Sequence, residues 1–221
     1  MLYHPFYRDT CLDTVMSLCN EIRLPISIAD PEQHDTPLIY VNAAFEEMTQ
    51  YSAAEIIGHN CRFLQGALTD RVITDELAEA MLLRQSESCC LLNYRKDGTP
   101  FYNVLTIQPL QIDRDTTLLM ACQFDFNPTR PHTNLSKTCS RIDEAQRQLR
   151  NRMDFGRDPV GTQESYRLDT LAMRVESTFA RVRNTVVRVS QNRMLDKLSE
   201  CDIGDRIGAI TRRTRAVATM Q

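Results

Sequence analysis

The sequence predicts an α+β fold followed by an all-helical extension. Three observations carry this reading. Short apolar runs of strand composition fall into two groups, one before residue 42 and one after residue 88. Helical periodicity fills the interval between them. Beyond a proline-containing stretch at 127–134, everything reads as helix. Two strands, a helical middle and three strands make one five-stranded antiparallel sheet with short helices.

Taken in order, residues 5–23 place Phe6, Leu12, Val15, Leu18, Cys19 and Ile22 at loose helical spacing, and Pro25 ends the run. "ISIAD" and "PLIYVN" are short apolar runs joined by a polar turn, which reads as a hairpin. Two short helices follow, "AAFEEMTQY" and "AAEIIG", the second carrying Ser52 and Glu55 at capping-box spacing. A longer helix covers "TDRVITDELAEAMLLRQ". "CCLLNYRK" then leads through Asp97-Gly98, a strong turn signal, into "PFYNVLTIQPL", and "TTLLMACQFDF" is the last strand.

The expected organisation is an N-terminal helical cap over 1–23, the sheet domain over 24–126, a linker and connecting helix over 127–164, and a helical hairpin over 165–221. In the hairpin, Leu168, Val175, Val182 and Val189 recur every seven residues, with Ala172, Phe179 and Val186 between them. After "SECDIGD", in which Asp202 is a fair N-cap, Ile203, Ile207, Ile210 and Val217 continue the pattern. Two amphipathic helices need a second layer over their apolar stripes. A second copy of the hairpin supplies it as a four-helix bundle, so a homodimer through 165–221 is expected. The other solution folds the hairpin back on its own sheet.

Composition limits the function classes. The chain has 221 residues and a net charge of −3. Residues 1–126 carry 8 basic and 18 acidic side chains, whereas 127–221 carry 18 and 11. An acidic front and a basic back predict different partners or mutual attraction. No apolar run is long enough to span a bilayer and no signal peptide precedes the first helix, so a cytoplasmic protein with no membrane partner is expected. The eight cysteines have no CxxC or His/Cys spacing of a zinc site, so no metal and no disulfide framework is expected. Most should be buried, reduced, small apolar residues. No GxGxxG occurs, so nothing suggests a nucleotide-binding redox enzyme.

The polar residues inside the apolar runs are more informative. Asn60, Gln65, Asn93, Asn103 and Gln123 are amides in or beside such runs. Buried amides are costly without partners, and each offers both a donor and an acceptor. A set of them matches the polar edge of a flat heterocycle, and an arginine such as Arg62 suits a phosphate. Asn93 and Asn103 lie at similar distances from the Asp97-Gly98 turn, which is compatible with a shared face of the hairpin.

The stretch "GHNCRFLQG", 58–66, resembles the signature of LOV domains, the flavin-binding blue-light sensors of the PAS superfamily. The likeness continues through "IYVNAAFEEMTQYSAAEIIG", "LLNYRKDGTPFYN" and "CQFD" and covers about 24–126. The resemblance implies a PAS/LOV fold. It implies that Cys61 is the photoreactive thiol, forming a reversible bond to flavin carbon C4a under light. It places Asn60, Gln65, Asn93 and Asn103 at flavin-binding positions, Arg62 on the phosphate, and Leu64, Met81, Leu105 and Ile107 among the remaining flavin contacts. Gln123 matches the glutamine that faces N5 and O4 and relays the signal. A second phosphate arginine, frequent in the family, is replaced here by Ala78, and Arg71 is nearby in sequence. FMN is the cofactor implied, with riboflavin and FAD left open.

In the basic tail, "FARVRNTVVRVSQ" and "DRIGAITRRTRAV" resemble the dimerisation helices of HWE-type histidine kinases. Ala180 stands where the acceptor histidine would be, and Thr214 where the second helix often has one. The resemblance implies a dimer bundle without kinase chemistry, and hence a photosensory signalling protein rather than an enzyme. Its partner would be a signalling protein such as a response regulator. An alternative output is DNA binding through tail arginines such as Arg181, Arg183, Arg212 and Arg213. A third, phosphotransfer, would need one of His4, His34, His59 or His132, all outside the hairpin.

Overall fold

The computed structural model describes residues 10–21, 24–112 and 115–126, together with single positions at 140, 143, 144, 147, 173, 177, 180, 181, 183 and 184. The expected linker, the hairpin and its apolar stripes otherwise lie outside the described residues. Among those single positions, Arg183 pairs with Asp143 at 3.4 Å.

Helix α1 is Thr10–Glu21. Strands β1, Ile26–Ala29, and β2, Leu38–Val41, form the predicted hairpin. Helices α2, Ala43–Thr49, and α3, Ala53–Ile56, follow. A 3₁₀ turn covers Cys61–Leu64, and α4 is Arg71–Leu82. Strands β3, Glu87–Tyr94, β4, Pro100–Gln111, and β5, Thr117–Phe126, complete one antiparallel sheet in the order β2-β1-β5-β4-β3.

Local chemistry sets most boundaries. Asn42 caps α2 by accepting from Phe45 N at 3.1 Å, and Gln50, in the left-handed region at φ 66, stops it. In α3 the Ser52 amide donates to Glu55 Oε2 at 3.0 Å, which is the returning half of the capping box. Asp70 accepts from Val72 N at 2.9 Å and starts α4. The β3–β4 connection is the loop 95–99. Gly98 takes the left-handed position at φ 82, and Arg95 N donates to Thr99 O at 2.9 Å.

Strand alternation separates two faces. Ile26 and Ile28, Val104, and Leu118, Met120, Cys122 and Phe124 pack with Leu12, Val15, Met16 and Cys19 of α1 in one cluster. The opposite face carries Ser27 and Ala29, Leu91 and Asn93, Asn103, Leu105 and Ile107, and Leu119, Ala121 and Gln123, and it borders a cavity. Burial on both faces explains why β5 reads as a nearly unbroken apolar run. The N-terminal helix therefore covers the outer face of the sheet and leaves the inner face to the cavity. Among the described residues, no helix is long and apolar enough to cross a membrane.

Candidate functional site

A cavity of about 630 Å³ lies between the inner face of the sheet, the 3₁₀ turn and α4. That volume is within the roughly 300–1,000 Å³ of ordinary small-molecule sites. All the residues singled out from the sequence line it: Asn60, Cys61, Arg62, Leu64 and Gln65 from the turn, Met81 from α4, and Asn93, Asn103, Leu105, Ile107 and Gln123 from the sheet. Ala78 also lines it, whereas Arg71 does not.

The floor is a chain of amides across three strands. Asn103 Nδ2 donates to Asn93 Oδ1 at 2.9 Å and to Gln123 Oε1 at 2.8 Å. The register pairs Asn93 with Phe101 and Asn103 with Leu91, so the two asparagines are diagonal neighbours on one face. Gln123 Nε2 donates onward to Ser27 Oγ at 3.2 Å. Asn93, Asn103, Gln123 and Ser27 are all buried. Among the described residues, Asn103 Oδ1 is the buried side-chain oxygen left without a protein partner. An orphan acceptor at this depth costs about 1–3 kcal/mol unless something in the cavity donates to it.

The opposite wall is the 3₁₀ turn. Asn60 caps it by accepting from Arg62 N at 3.0 Å, while its Nδ2 donates to Asp35 O at 2.6 Å. That pair of bonds holds the turn against the β1–β2 loop. Leu64 anchors it below, buried beside Leu38, Val41, Phe45 and Ile56. Cys61 is half-buried against this cluster, and burial pushes its thiol from the usual 9.0 up to about 12. It is a neutral thiol at physiological pH. No disulfide involves it, nor Cys19, Cys89, Cys90 or Cys122. Gly66 follows the turn where a Cβ would lie 2.3 Å from Tyr94 Cε2, so only glycine lets the backbone pass that ring.

The walls between floor and turn are apolar: Leu77, Leu91, Leu105, Ile107 and Leu119 form one cluster with Met81 packed against it. The charged groups sit at the rim. Arg62 pairs with Asp35 at 2.5 Å, and its hydrogen bond holds the Asp35 carboxyl below the usual carboxylate range. Arg84 pairs with Glu32 of the same β1–β2 loop.

Ser27 and Arg84 are site residues that sequence reasoning missed. The Ser27 signal was available, as a hydroxyl in phase with the inner face of "ISIA". For Arg84 no periodic signal exists, because it lies past the end of α4.

Residues 25–127 match the PAS domain family. The chain is 35% identical over 133 residues to a blue-light photoreceptor of Listeria monocytogenes, covering 60% of this chain and 53% of that protein. It is also 35% identical over 164 residues to blue-light-activated histidine kinase 2 of Erythrobacter litoralis, covering 70% and 47%. The chain spans about half the length of these curated relatives. Among solved structures, the RsLOV d2 variant superposes with a TM-score of 0.64 at 21% identity, covering 88% of this chain and 99% of that one, which is a likeness of fold.

Proposed function

We propose that this chain, which carries a LOV domain of the PAS superfamily, is a blue-light photoreceptor that binds a flavin in the cavity and uses Cys61 as its photoreactive thiol. Asn103 Oδ1 carries the reading. A buried acceptor with no protein partner lies on an amide floor, with a neutral thiol across the cavity.

The residues fit a flavin. Asn93, Asn103 and Gln123 present donors and acceptors to one edge of a flat ring, and Leu105, Ile107, Leu91 and Met81 supply apolar walls. Arg62 at the rim suits a phosphate, which favours FMN. A bound flavin would supply a light-excited electrophilic ring. Cys61 would give it both its sulfur and its proton in the light and would take the proton back in the dark, so no other reactant would be consumed. A thiol that keeps its proton at neutral pH suits this role without an adjacent base.

Gln123 is the relay. Its Oε1 faces the Asn103 amide and its Nε2 faces the Ser27 hydroxyl. A cavity group that changes from acceptor to donor favours the reversed amide. Reversal strains the bond to Asn103 and moves the end of β5, which runs into the linker at 127–164. Output through a homodimeric bundle of 165–221 to a signalling protein such as a response regulator completes the reading, with no catalysis in this chain. The relatives reported above give no support to DNA binding, and the basic tail lies outside the described residues.

The purified chain should be yellow, bleach in blue light and recover in the dark. Cys61→Ala should stay yellow and not bleach. A Cys61→Ala chain that bleaches and recovers like the parent removes the thiol from the mechanism. A fragment truncated after residue 160 should be monomeric where the full chain is dimeric.

A further inference from the structure

We propose that Arg84 is a second anion-binding side chain at the mouth of the cavity, taking the terminal phosphate of the flavin together with Arg62. The inference rests on the flavin reading of the pocket and adds to it a residue at which no helical pattern points.

The first observation is backbone conformation. α4 ends with Arg84 N donating to Met81 O at 3.1 Å and Gln85 N donating to Ala80 O at 2.8 Å. This closure places Arg84 at the position after the helix with φ 51, in the left-handed region. Glycine is the ordinary occupant there, and any side chain costs about 1 kcal/mol or more. An arginine held against that preference points to a role for its side chain.

The second observation is placement. Arg84 lines the cavity, as do Arg62 and Ala78. Arg62 and Arg84 also reach the same loop, pairing with Asp35 and Glu32 respectively. Two elements, the 3₁₀ turn and the segment after α4, therefore bring guanidiniums to one short loop. Ala78, on the helix between them, supplies no charge.

The third is charge balance. The charged residues lining the cavity are Asp35, Asp75, Arg62 and Arg84. With Arg62 alone the rim would be acidic, and a phosphate of charge near −2 would enter against its own sign. Arg84 brings the charges of the lining residues themselves into balance, and Glu32, which pairs with it from outside the lining, is the acid it must give up to a phosphate. Its present partner, Glu32, is half exposed, so that ion pair is weak and a doubly charged phosphate replaces the carboxylate readily. Glu32 then acts as a placeholder that keeps Arg84 turned toward the mouth.

The test compares FMN with riboflavin, which share the ring and differ in the phosphate. Both are titrated into the full chain after removal of its flavin. The parent should prefer FMN, and the preference should shrink as salt rises. Arg84→Gly suits the left-handed position, so the fold should melt no lower than the parent. It should lower FMN affinity about fivefold and leave riboflavin affinity unchanged. Arg84→Lys should restore part of the preference, and Glu32→Gln should increase it. An FMN-to-riboflavin ratio that Arg84→Gly leaves unchanged overturns the proposal and makes Arg84 a loop staple, while leaving the flavin site intact. Binding of neither flavin by the parent overturns the flavin reading itself, and this proposal with it.

Discussion

Gln123 Nε2 donates to Ser27 Oγ at 3.2 Å, so the amide that faces the cavity from β5 is tied sideways to β1. Gln123 N also donates to Pro25 O at 2.9 Å, just before β1 begins. The next link is Asn42, which accepts from Ile26 N at 3.0 Å and donates to Cys19 O at 3.0 Å at the end of α1. A change at Gln123 therefore has a hydrogen-bonded route to the N-terminal helix.

Ser27 can accept from Nε2 or, with its hydroxyl turned, donate to Oε1, so it satisfies either amide orientation. Ser27→Ala leaves one end of Gln123 unpaired in a buried site. Stability of the flavin-free chain should fall by about 1–2 kcal/mol, read from the urea midpoint. Thr, which keeps the hydroxyl, should retain most of it. Equal losses in both variants would show that packing, not the hydroxyl, is what matters.

The Asn42 side chain makes buried hydrogen bonds to several segments at one junction. It accepts from Ile26 N and Phe45 N and donates to Cys19 O and to Leu24 O, the last at 2.7 Å. Asn42→Ala should cost about 2–4 kcal/mol in the same measurement. Hydrogen exchange should also show faster opening of α1 than of α4. Uniform loss of protection across both helices would contradict a local role for Asn42 at the end of α1.

Gly66→Ala drives a methyl group into the Tyr94 ring, 2.3 and 2.4 Å from two of its carbons. The ring must swing away and release Leu68 N, which donates to its hydroxyl at 3.2 Å. A loss of about 1–3 kcal/mol is expected, and it should shrink when Tyr94→Leu is made in the same chain. Strict additivity of the two changes would place the strain elsewhere.

Alkaline stability follows from the buried thiols. Burial raises Cys19, Cys61 and Cys89 from 9.0 to about 12, and Cys90 to about 11. The unfolded chain loses these protons near pH 9 while the folded chain keeps them. Their contribution is complete below pH 9 and is lost as pH rises from there toward 12. The urea midpoint should decline above pH 9, and Cys19→Ala should flatten the decline. A midpoint level to pH 11 in the parent would rule out thiol ionisation as the cause.

The strand count, the hairpin turn at Asp97-Gly98 and the shared face of Asn93 and Asn103 were legible in the sequence, because each follows from local periodicity or turn chemistry. The amides stood out for a related reason: a polar group in a strand whose other residues are apolar needs a partner, and periodicity says on which face it lies. Ser27 was legible in principle by the same rule. Strand order was not, since β1 lies beside β5, a residue pairing that joins Ser27 to Ala121 across 94 positions of chain.

By itself, the sequence determined an α+β sheet domain with a cysteine turn and a set of amides in strand phase. Period and turn signals are properties of neighbouring residues, and these survive without a structure. Only the tertiary structure decided which amide is satisfied and which is not. The bond from Asn103 to Gln123 and the orphan Asn103 Oδ1 depend on the register of β4 against β5. It likewise decided that Arg84 and not Arg71 reaches the mouth of the cavity. That choice is set by where α4 stops and by the left-handed turn after it, and no side-chain pattern along the helix encodes it.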